Sequence, residues 1–182
     1  MSELRVGLGV DAHAFSDGVP LVLGGVPIES PQGLAGHSDG DVIAHALIDA
    51  LLGAAGLGDI GSLFPPDEPE WEGASSLDLL RRAAGEVRKA GWELVNADCI
   101  LIGEEPRIAP LREQMRGHLA EAVGADRERI NVRATTTDKL GFTGRGQGLA
   151  AEAVALLERR NVAGASKTER ALNAFIQRVN VE

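Results

Sequence analysis

The stretch Leu4-Arg5-Val6-Gly7-Leu8-Gly9-Val10-Asp11-Ala12-His13, close to the amino terminus, decides how the rest of the sequence is interpreted. Its Val and Leu residues alternate in part with smaller or polar ones, which predicts a β-strand. Gly7 and Gly9 also match a G-x-G-x-x-A dinucleotide fingerprint, but that fingerprint must open a helix, and Gly18 and Pro20 follow too soon for one. The two glycines instead predict a strand that another element approaches closely.

Downstream, the apolar spacing predicts further strands and helices in a definite order. A hairpin is predicted over 21–28, helices over 41–55, 75–90, 106–123 and 147–160, and strands over 94–102 and 130–136. Ser38 is the expected N-cap of the first helix, and 58–73 reads as an irregular loop. This order favours the α+β class: one domain over residues 1–160, with helices packed on one face of a mixed β-sheet.

Composition and charge exclude several classes of protein. The chain has 182 residues with 18 Lys plus Arg against 27 Asp plus Glu, a net charge of −9, which argues against nucleic-acid binding. That charge also disfavours an anionic substrate, unless bound cations offset it. No apolar run approaches the length of a membrane span, and the single Cys99 cannot form an intrachain disulfide. We therefore expect a cytoplasmic protein with no membrane partner.

Three of the four histidines need separate interpretation. Asp11 and His13 lie two apart on a predicted strand, so both side chains project from one face and could hold a divalent metal or simply form a hydrogen-bonded pair. His45 falls inside the first predicted helix, where it is either a core residue or a ligand, and Asp49 at i+4 could orient its ring. His118 is most simply a solvated surface residue.

A second polar stretch, residues 134–148, combines three consecutive threonine hydroxyls, a carboxylate, Lys139, Arg145 and four glycines. Glycines let backbone N–H groups approach phosphate oxygens, and threonine hydroxyls donate to the same oxygens. The stretch lacks the G-K-[ST] ending of a Walker A loop. Alone it would be an ordinary turn, whereas together with the histidine cluster it indicates a phosphate site.

The polar motifs together resemble one enzyme family. The matching pieces are Asp11-Ala12-His13, 35–42 followed by His45, Asp59-Ile60-Gly61 before Leu63-Phe64-Pro65, and 135–148, in the right order and spacing from about residue 5 to residue 159. Each piece is modest alone, but the set is specific. On these motifs the chain resembles the 2-C-methyl-D-erythritol 2,4-cyclodiphosphate synthase family.

The resemblance implies a metal-assisted reaction. The implied zinc ligands are Asp11, His13 and His45, and Asp138 would hold a second divalent cation, Mg²⁺ or Mn²⁺. The 2-phosphate of 4-diphosphocytidyl-2-C-methyl-D-erythritol 2-phosphate would attack the β-phosphorus in line, release CMP and close the cyclic diphosphate, a step of non-mevalonate isoprenoid precursor biosynthesis. The implied catalytic residues are His37 and Thr136, which would contact the phosphates. Three protein ligands leave zinc the open position that catalysis requires.

The resemblance also implies substrate contacts from four segments. They are Asp11, Ala12, His13, His37 and Ser38; Asp59, Ile60, Gly61, Phe64, Pro65, Pro66, Asp67 and Glu68; Gly103, Glu104, Glu105, Pro106, Arg107, Ile108 and Ala109, for the cytosine; and Thr135, Thr136, Thr137, Asp138, Lys139, Phe142 and Arg145. Pro65-Pro66-Asp67-Glu68 departs from the family's Pro-Asp-x-Asp pattern. Family members assemble as a homotrimer with active sites between subunits, and Phe142 and Arg145 would line an axial cavity for an isoprenoid diphosphate.

Two other functions stay open at this point. One is a zinc hydrolase that uses the same three ligands and a metal-bound water, and the other is a non-catalytic trimeric module that binds isoprenoid phosphates through Arg145. The C-terminal extension, 161–182, lies beyond the resemblance, and its role is unknown. Its apolar stripe at i, i+1, i+4, i+5 and i+8 predicts a helix that either docks on its own subunit or adds a trimer contact: Ala171, Leu172, Phe175, Ile176 and Val179.

Overall fold

A five-stranded sheet with helices on one face forms the body of the molecule, in a computed structural model that describes residues 3–65, 68–71 and 73–160. The strands are β1 (Leu4–Asp17), β2 (Leu21–Leu23), β3 (Val26–Ile28), β4 (Gln32–Leu34), β5 (Trp92–Ile102), β6 (Ile130–Thr135) and β7 (Gly148–Arg159). The helices are α1 (Val42–Ala55), α2 (Ile60–Leu63), α3 (Ser76–Lys89), α4 (Arg112–Val123) and α5 (Gly141–Gly144). Short 3-10 turns lie at Pro69–Trp71, Ala109–Leu111 and Arg127–Arg129.

The sheet is mixed, as the sequence predicts. Its strand order is β4-β1-β7-β5-β6, and β2 and β3 form a separate two-stranded sheet. Strand β1 runs antiparallel to β4 and β7, β7 runs antiparallel to β5, and β5 runs parallel to β6. None of the helices described is long and apolar enough to cross a membrane.

Helix α1 lies directly against β1 because two glycines make room for it. A Cβ atom on Gly7 would come within 2.0 Å of the Ala50 carbonyl oxygen, and one on Gly9 within 2.0 Å of the Ala46 carbonyl oxygen. The predicted close approach is therefore confirmed, and no helix follows the glycines because β1 continues to Asp17. This contact fixes the distance between the strand and the helix that carry the polar site.

The two faces of the sheet differ sharply. Helix α1 packs on β1 and β7, α3 packs between α1 and α4, and α4 contacts β6, so the helices share one face. The opposite face of β1 leaves Val6 and Leu8 68% and 63% exposed, and Val154 of β7 beside them is 44% exposed. An uncovered apolar patch of this kind marks an interaction surface more often than ordinary surface.

The predicted helix over 147–160 is wrong, because this segment is the central strand β7. Ala151, Ala153 and Ala155 are buried while Glu152 and Val154 between them are exposed, which is the period of a strand. Alanine favours helices in isolation, but pairing with strands on both sides and packing against α1 outweigh that preference here.

Smaller differences concern where elements begin. Strand β4 was not predicted, and α4 begins at Arg112 rather than near 106, since the proline in the first helical turn is Pro110 of the preceding 3-10 turn. The N-cap of α1 is Asp41 rather than Ser38, and its carboxylate accepts hydrogen bonds from the backbone N–H groups of Ile43 and Ala44. The apolar stripe of the C-terminal extension lies outside the described residues.

Candidate active site

Asp11, His13 and His45 meet at the end of α1 nearest the loop that precedes it. Oδ2 of Asp11 lies 2.9 Å from Nε2 of His13 and 2.9 Å from Nδ1 of His45, and the two histidine nitrogens are 3.2 Å apart. Asp11 and His13 reach the same place because they lie on the helix-facing side of β1, in line with Gly7 and Gly9. The sequence-based grouping of these three side chains is thus confirmed in space.

The buried N-cap of α1 fixes the third member of this group. The carboxylate of Asp41 accepts hydrogen bonds from the N–H groups of Gly24 and Gly25, at 2.9 and 2.6 Å, as well as from the first turn of α1. It therefore ties the β2-β3 turn to the start of the helix. His45 lies one turn further on, and its backbone N–H donates to the Asp41 carbonyl.

The charges within the cluster support one another. Burial opposes ionisation of Asp11, but hydrogen bonds from His13 and His45 outweigh it and hold the pKa of Asp11 well below its ordinary value. The hydrogen bond that His13 donates to Asp11 raises the pKa of His13, although burial works against this. The cluster therefore places an ionised carboxylate beside two imidazoles, which are residue types that ligate zinc.

The cluster fits a divalent metal by its donor chemistry. One oxygen and two nitrogens, all within 4.8 Å of one another, are offered by groups that project toward a common point. Zinc bonded at about 2.0 Å to tetrahedral ligands spaces those ligands by about 3.3 Å, close to the separations seen here. Among the described residues, no other group of His, Cys, Asp and Glu side chains converges in this way.

The far side of the His45 ring is held by Ser38, a predicted site residue, and by Ser76, which the sequence did not suggest. Nε2 of His45 lies 2.9 Å from the hydroxyl oxygen of Ser38 and 2.9 Å from that of Ser76. Asp49 does not orient this ring, contrary to the expectation from its i+4 spacing, because its Oδ1 accepts the backbone N–H of Ile60 at 2.7 Å. Asp49 instead ties α1 to the start of α2.

A cavity of about 200 Å³, which we call the metal cavity, opens onto the cluster. Its lining brings together many of the predicted site residues with two that were not predicted, Trp71 and Leu79: Asp11, His13, His37, Ser38, His45, Ile60, Gly61, Phe64, Trp71 and Leu79. Trp71 packs edge-on against Phe64, with ring centroids 5.0 Å apart. Asp59 lies beside the cavity and caps α2, accepting hydrogen bonds from the N–H and the hydroxyl of Ser62.

A second cavity of about 910 Å³, which we call the loop cavity, collects the other predicted segments. Its lining includes Gly103, Glu104, Glu105, Pro106 and Arg107, which follow β5, and Thr135, Thr136, Lys139 and Arg145, from the end of β6 and its connection to β7. It also includes residues that no motif suggested: Phe15, Glu29, Ser30, Pro31 and Gln32. Among the described residues, the two cavities share no lining residue.

Glu104 shapes the threonine-rich loop of this second cavity. Its Oε1 accepts the backbone N–H groups of Thr137 at 3.3 Å and Lys139 at 3.1 Å. Asp138 and Lys139 both adopt positive φ, 50° and 64°, which few non-glycine residues do. A carboxylate that gathers two N–H groups therefore accompanies this unusual backbone and holds the loop in place.

Several predicted contacts fall outside both cavities. The side chains of Asp138 and Phe142 are exposed, Ile108 is buried, and Thr137 bonds Leu140 and Thr143 within its own loop. Ala12 points to the open sheet face, so only its backbone faces the cluster. Ala109, Pro65 and Glu68 also do not line either cavity, and Pro66 and Asp67 lie outside the described residues.

His118 is not the solvated surface residue that its sequence context predicted. It is half-buried, and its Nδ1 hydrogen-bonds the carbonyl oxygen of Gly25 at 3.0 Å. The side chain therefore joins α4 to the β2-β3 turn. It takes no part in the Asp11-His13-His45 cluster.

Known proteins share both the sequence and the fold. The YgbB family matches residues 4–158. The 2-C-methyl-D-erythritol 2,4-cyclodiphosphate synthase of Rubrobacter xylanophilus is 57% identical over 162 residues, covering 87% of this chain and 98% of that protein. Among solved structures, the bifunctional IspDF of Campylobacter jejuni has a TM-score of 0.86 and 43% identity, covering 90% of this chain and 44% of that one.

A further solved structure is a complex with a nucleotide. The IspF of Plasmodium falciparum, described as a CDP complex, has a TM-score of 0.76 and 32% identity, covering 87% of this chain and 97% of that one. The resemblance drawn from the motifs is therefore confirmed. By the extent of these matches, the chain belongs to the YgbB family and is an enzyme of the cyclodiphosphate synthase kind.

Proposed function

We propose that this enzyme converts 4-diphosphocytidyl-2-C-methyl-D-erythritol 2-phosphate to 2-C-methyl-D-erythritol 2,4-cyclodiphosphate and CMP, a step of non-mevalonate isoprenoid precursor biosynthesis. The observation that carries the proposal is the metal cavity, where Asp11, His13 and His45 stand beside His37 and Ser38. Relatives that this chain covers over nearly their full length are named for this activity.

The reaction asks for alignment and charge neutralisation more than for a base. An oxygen of the 2-phosphate bonds to the β-phosphorus while the bond from that phosphorus to the oxygen bridging to the cytidyl phosphate breaks, so CMP leaves with the electron pair and no water is consumed. When bound at Asp11, His13 and His45, zinc would act as a Lewis acid on the β-phosphate. His37 and Thr136 would hold the phosphates in line, and Ser38 would hold the erythritol phosphate.

The loop cavity is the proposed nucleotide site. Gly103 to Arg107 would meet the cytosine through backbone groups, and Lys139 would pair with the cytidyl phosphate. Asp138 would hold the second cation, Mg²⁺ or Mn²⁺, next to the phosphates. Both cations, when bound, would allow a chain of net charge −9 to bind a polyanion.

We propose that the enzyme works as a homotrimer. Among the described residues, the metal cavity and the loop cavity share no lining residue. The proposed reaction, however, needs the residues of both cavities to contact the same substrate molecule. The open sheet face, with Val6, Leu8 and Val154 exposed, is the apolar surface on which copies would meet. A neighbour would then supply the loop cavity, and Phe142 and Arg145 would face the axis, where an isoprenoid diphosphate could bind.

A zinc hydrolase is the second candidate, because the same three ligands could activate a water molecule. The two functions predict different products. The purified enzyme, supplied with substrate, Zn²⁺ and Mg²⁺ in ¹⁸O-labelled water, should yield CMP and an unlabelled cyclic diphosphate. A labelled, uncyclised phosphate product would favour the hydrolase, and absence of CMP would overturn the proposed activity.

A further inference from the structure

A row of hydrogen-bonded side chains extends outward from the Asp11-His13-His45 cluster, on the side of the His45 ring that faces away from Asp11. Nε2 of His45 contacts the hydroxyl of Ser76, at 2.9 Å, and that hydroxyl in turn hydrogen-bonds Oδ1 of Asp39. Oδ2 of Asp39 accepts the backbone N–H of Ser76 at 3.0 Å, so carboxylate and serine are joined twice. Ser76 is fully buried, at 0% exposed, in the first turn of α3.

Counting donors and acceptors shows which group donates in each of these hydrogen bonds. A carboxylate only accepts, so the single hydroxyl proton of Ser76 goes to Asp39. The Ser76 oxygen then offers a lone pair to Nε2 of His45, which must carry the ring proton. Ser38 faces the same nitrogen at 2.9 Å and can share that proton as a second acceptor.

The opposite nitrogen of the ring is the one that faces the cluster. With the proton on Nε2, a neutral His45 presents the Nδ1 lone pair toward Oδ2 of Asp11, 2.9 Å away. In the metal-free cluster a hydrogen-bonding proton lies between these two atoms, and a metal ion bound there would take the place of that proton. The direction of the outer chain and the donor set of the inner cluster therefore agree.

We propose that Asp39 and Ser76 are positioning residues that fix the orientation and tautomer of His45 for metal binding. The proposal rests on the metal site of the proposed function and extends it to two residues that touch no substrate group assigned above. His13 differs, because its ring hydrogen-bonds the backbone of Ala35, which no substitution removes. The side-chain support of His45 is thus the part that mutation can test.

The test is the zinc dissociation constant of Ser76→Ala and Asp39→Asn, measured by competition with a chelator. Loss of such outer partners typically weakens metal binding by about 10- to 100-fold, and we expect a loss in that range for both variants. In Asp39→Asn an amide NH₂ must face either the Ser76 hydroxyl or the Ser76 N–H, which disturbs the donor order. The double variant should bind zinc about as weakly as Ser76→Ala alone, because both changes act through one ring.

Two matched variants separate this effect from general ones. Ser75→Ala removes the neighbouring hydroxyl, which makes no capping hydrogen bond. Asp49→Asn removes an equal charge near the cluster from a carboxylate that accepts the backbone N–H of Ile60. We expect both to stay within about threefold of the wild type, since neither touches the His45 ring.

A spectroscopic readout tests the hydrogen bond itself. In the zinc-loaded wild type, the His45 Nε2–H proton should give a ¹H–¹⁵N signal that exchanges slowly with water, and Ser76→Ala and Asp39→Asn should lose that protection. If both variants keep wild-type zinc affinity and the protected signal, the inference is overturned while the proposed function stands. A wild-type protein that binds no zinc would overturn the metal assignment as well.

Discussion

The metal cavity and the loop cavity differ in how far a single chain completes them. In the metal cavity, the donor atoms of Asp11, His13 and His45 already lie 2.9–3.2 Å apart, on a strand and a helix locked together by close packing. In the loop cavity, Thr135 and Thr136 are exposed, and the loop is held by Glu104. One chain thus assembles the proposed metal ligands but leaves the proposed phosphate-binding hydroxyls of Thr135 and Thr136 exposed.

The physical reason for the difference is the kind of backbone that carries each set. Side chains on a strand and a helix inherit the rigidity of the core, whereas side chains on a loop depend on a few local hydrogen bonds. Metal ligands need fixed separations before the ion arrives. Groups that bind a phosphate chain can adjust their positions when the substrate binds.

The largest expected effect is at the centre of the metal cavity. His45→Ala should weaken zinc binding by more than the roughly 100-fold that loss of an outer partner can cost, and should reduce CMP release to background. Elemental analysis and circular dichroism check this, since the helix should stay folded. His118→Ala is the matched control and should keep its zinc. Full zinc content in His45→Ala would remove this residue from the ligand set.

A substitution in the loop cavity should lower turnover without loss of zinc. Thr136→Ala removes a hydroxyl from the loop cavity, and we expect turnover to fall by about 10² to 10³, the usual cost of one donor to developing charge. Zinc content should match the wild type, because Thr136 does not line the metal cavity. Loss of zinc in this variant would show that the two cavities are not independent.

A smaller effect is expected where the two elements of the metal cavity meet. Gly9→Ala places a Cβ 2.0 Å from the Ala46 carbonyl oxygen, and overpacking of this kind costs about 1–3 kcal/mol of the free energy of unfolding. Urea denaturation measures it, and zinc affinity should fall as β1 shifts from α1. In Gly53→Ala, with no atom within 4 Å of the added Cβ, stability should rise slightly. Equal stability of the two variants would contradict the packing argument.

The smallest expected effect is at Cys99, which belongs to neither cavity. Burial raises the pKa of its thiol to about 12, with smaller contributions from Asp98 and Asp41. At pH 8 the folded protein should therefore react with a thiol-specific disulfide reagent far more slowly than the unfolded protein. A fast reaction in the folded state would show that β5 opens readily.

Local sequence offered Asp11, His13 and His45 as candidate ligands because the signals are short-range. Alternation on β1 places Asp11 and His13 on one face, and an apolar helical period places His45 inward. The same reasoning failed for Asp49, whose i+4 spacing suggested a contact that Ser76 makes instead, from the next long helix. Residues 31 positions apart have no local pattern that links them.

The fold shows the same division. Alanines in 147–160 favour a helix by intrinsic propensity, and only pairing with β1 and β5 makes this segment a central strand. Strand β4 is three residues long and is defined entirely by its partner β1. Neither could be predicted from the segment itself, because the deciding interactions come from distant residues.

By itself the sequence determined the family, the order of most elements, the three candidate donors of the proposed metal site and the need for close contact at Gly7 and Gly9. Tertiary structure alone decided that β7 is a strand, that Asp39 and Ser76 support His45, and that the metal and loop cavities are separate in one chain. Residue type and spacing encode what a short segment can do. Which distant segment it pairs with or packs against depends on the packing of the whole sheet and its helices.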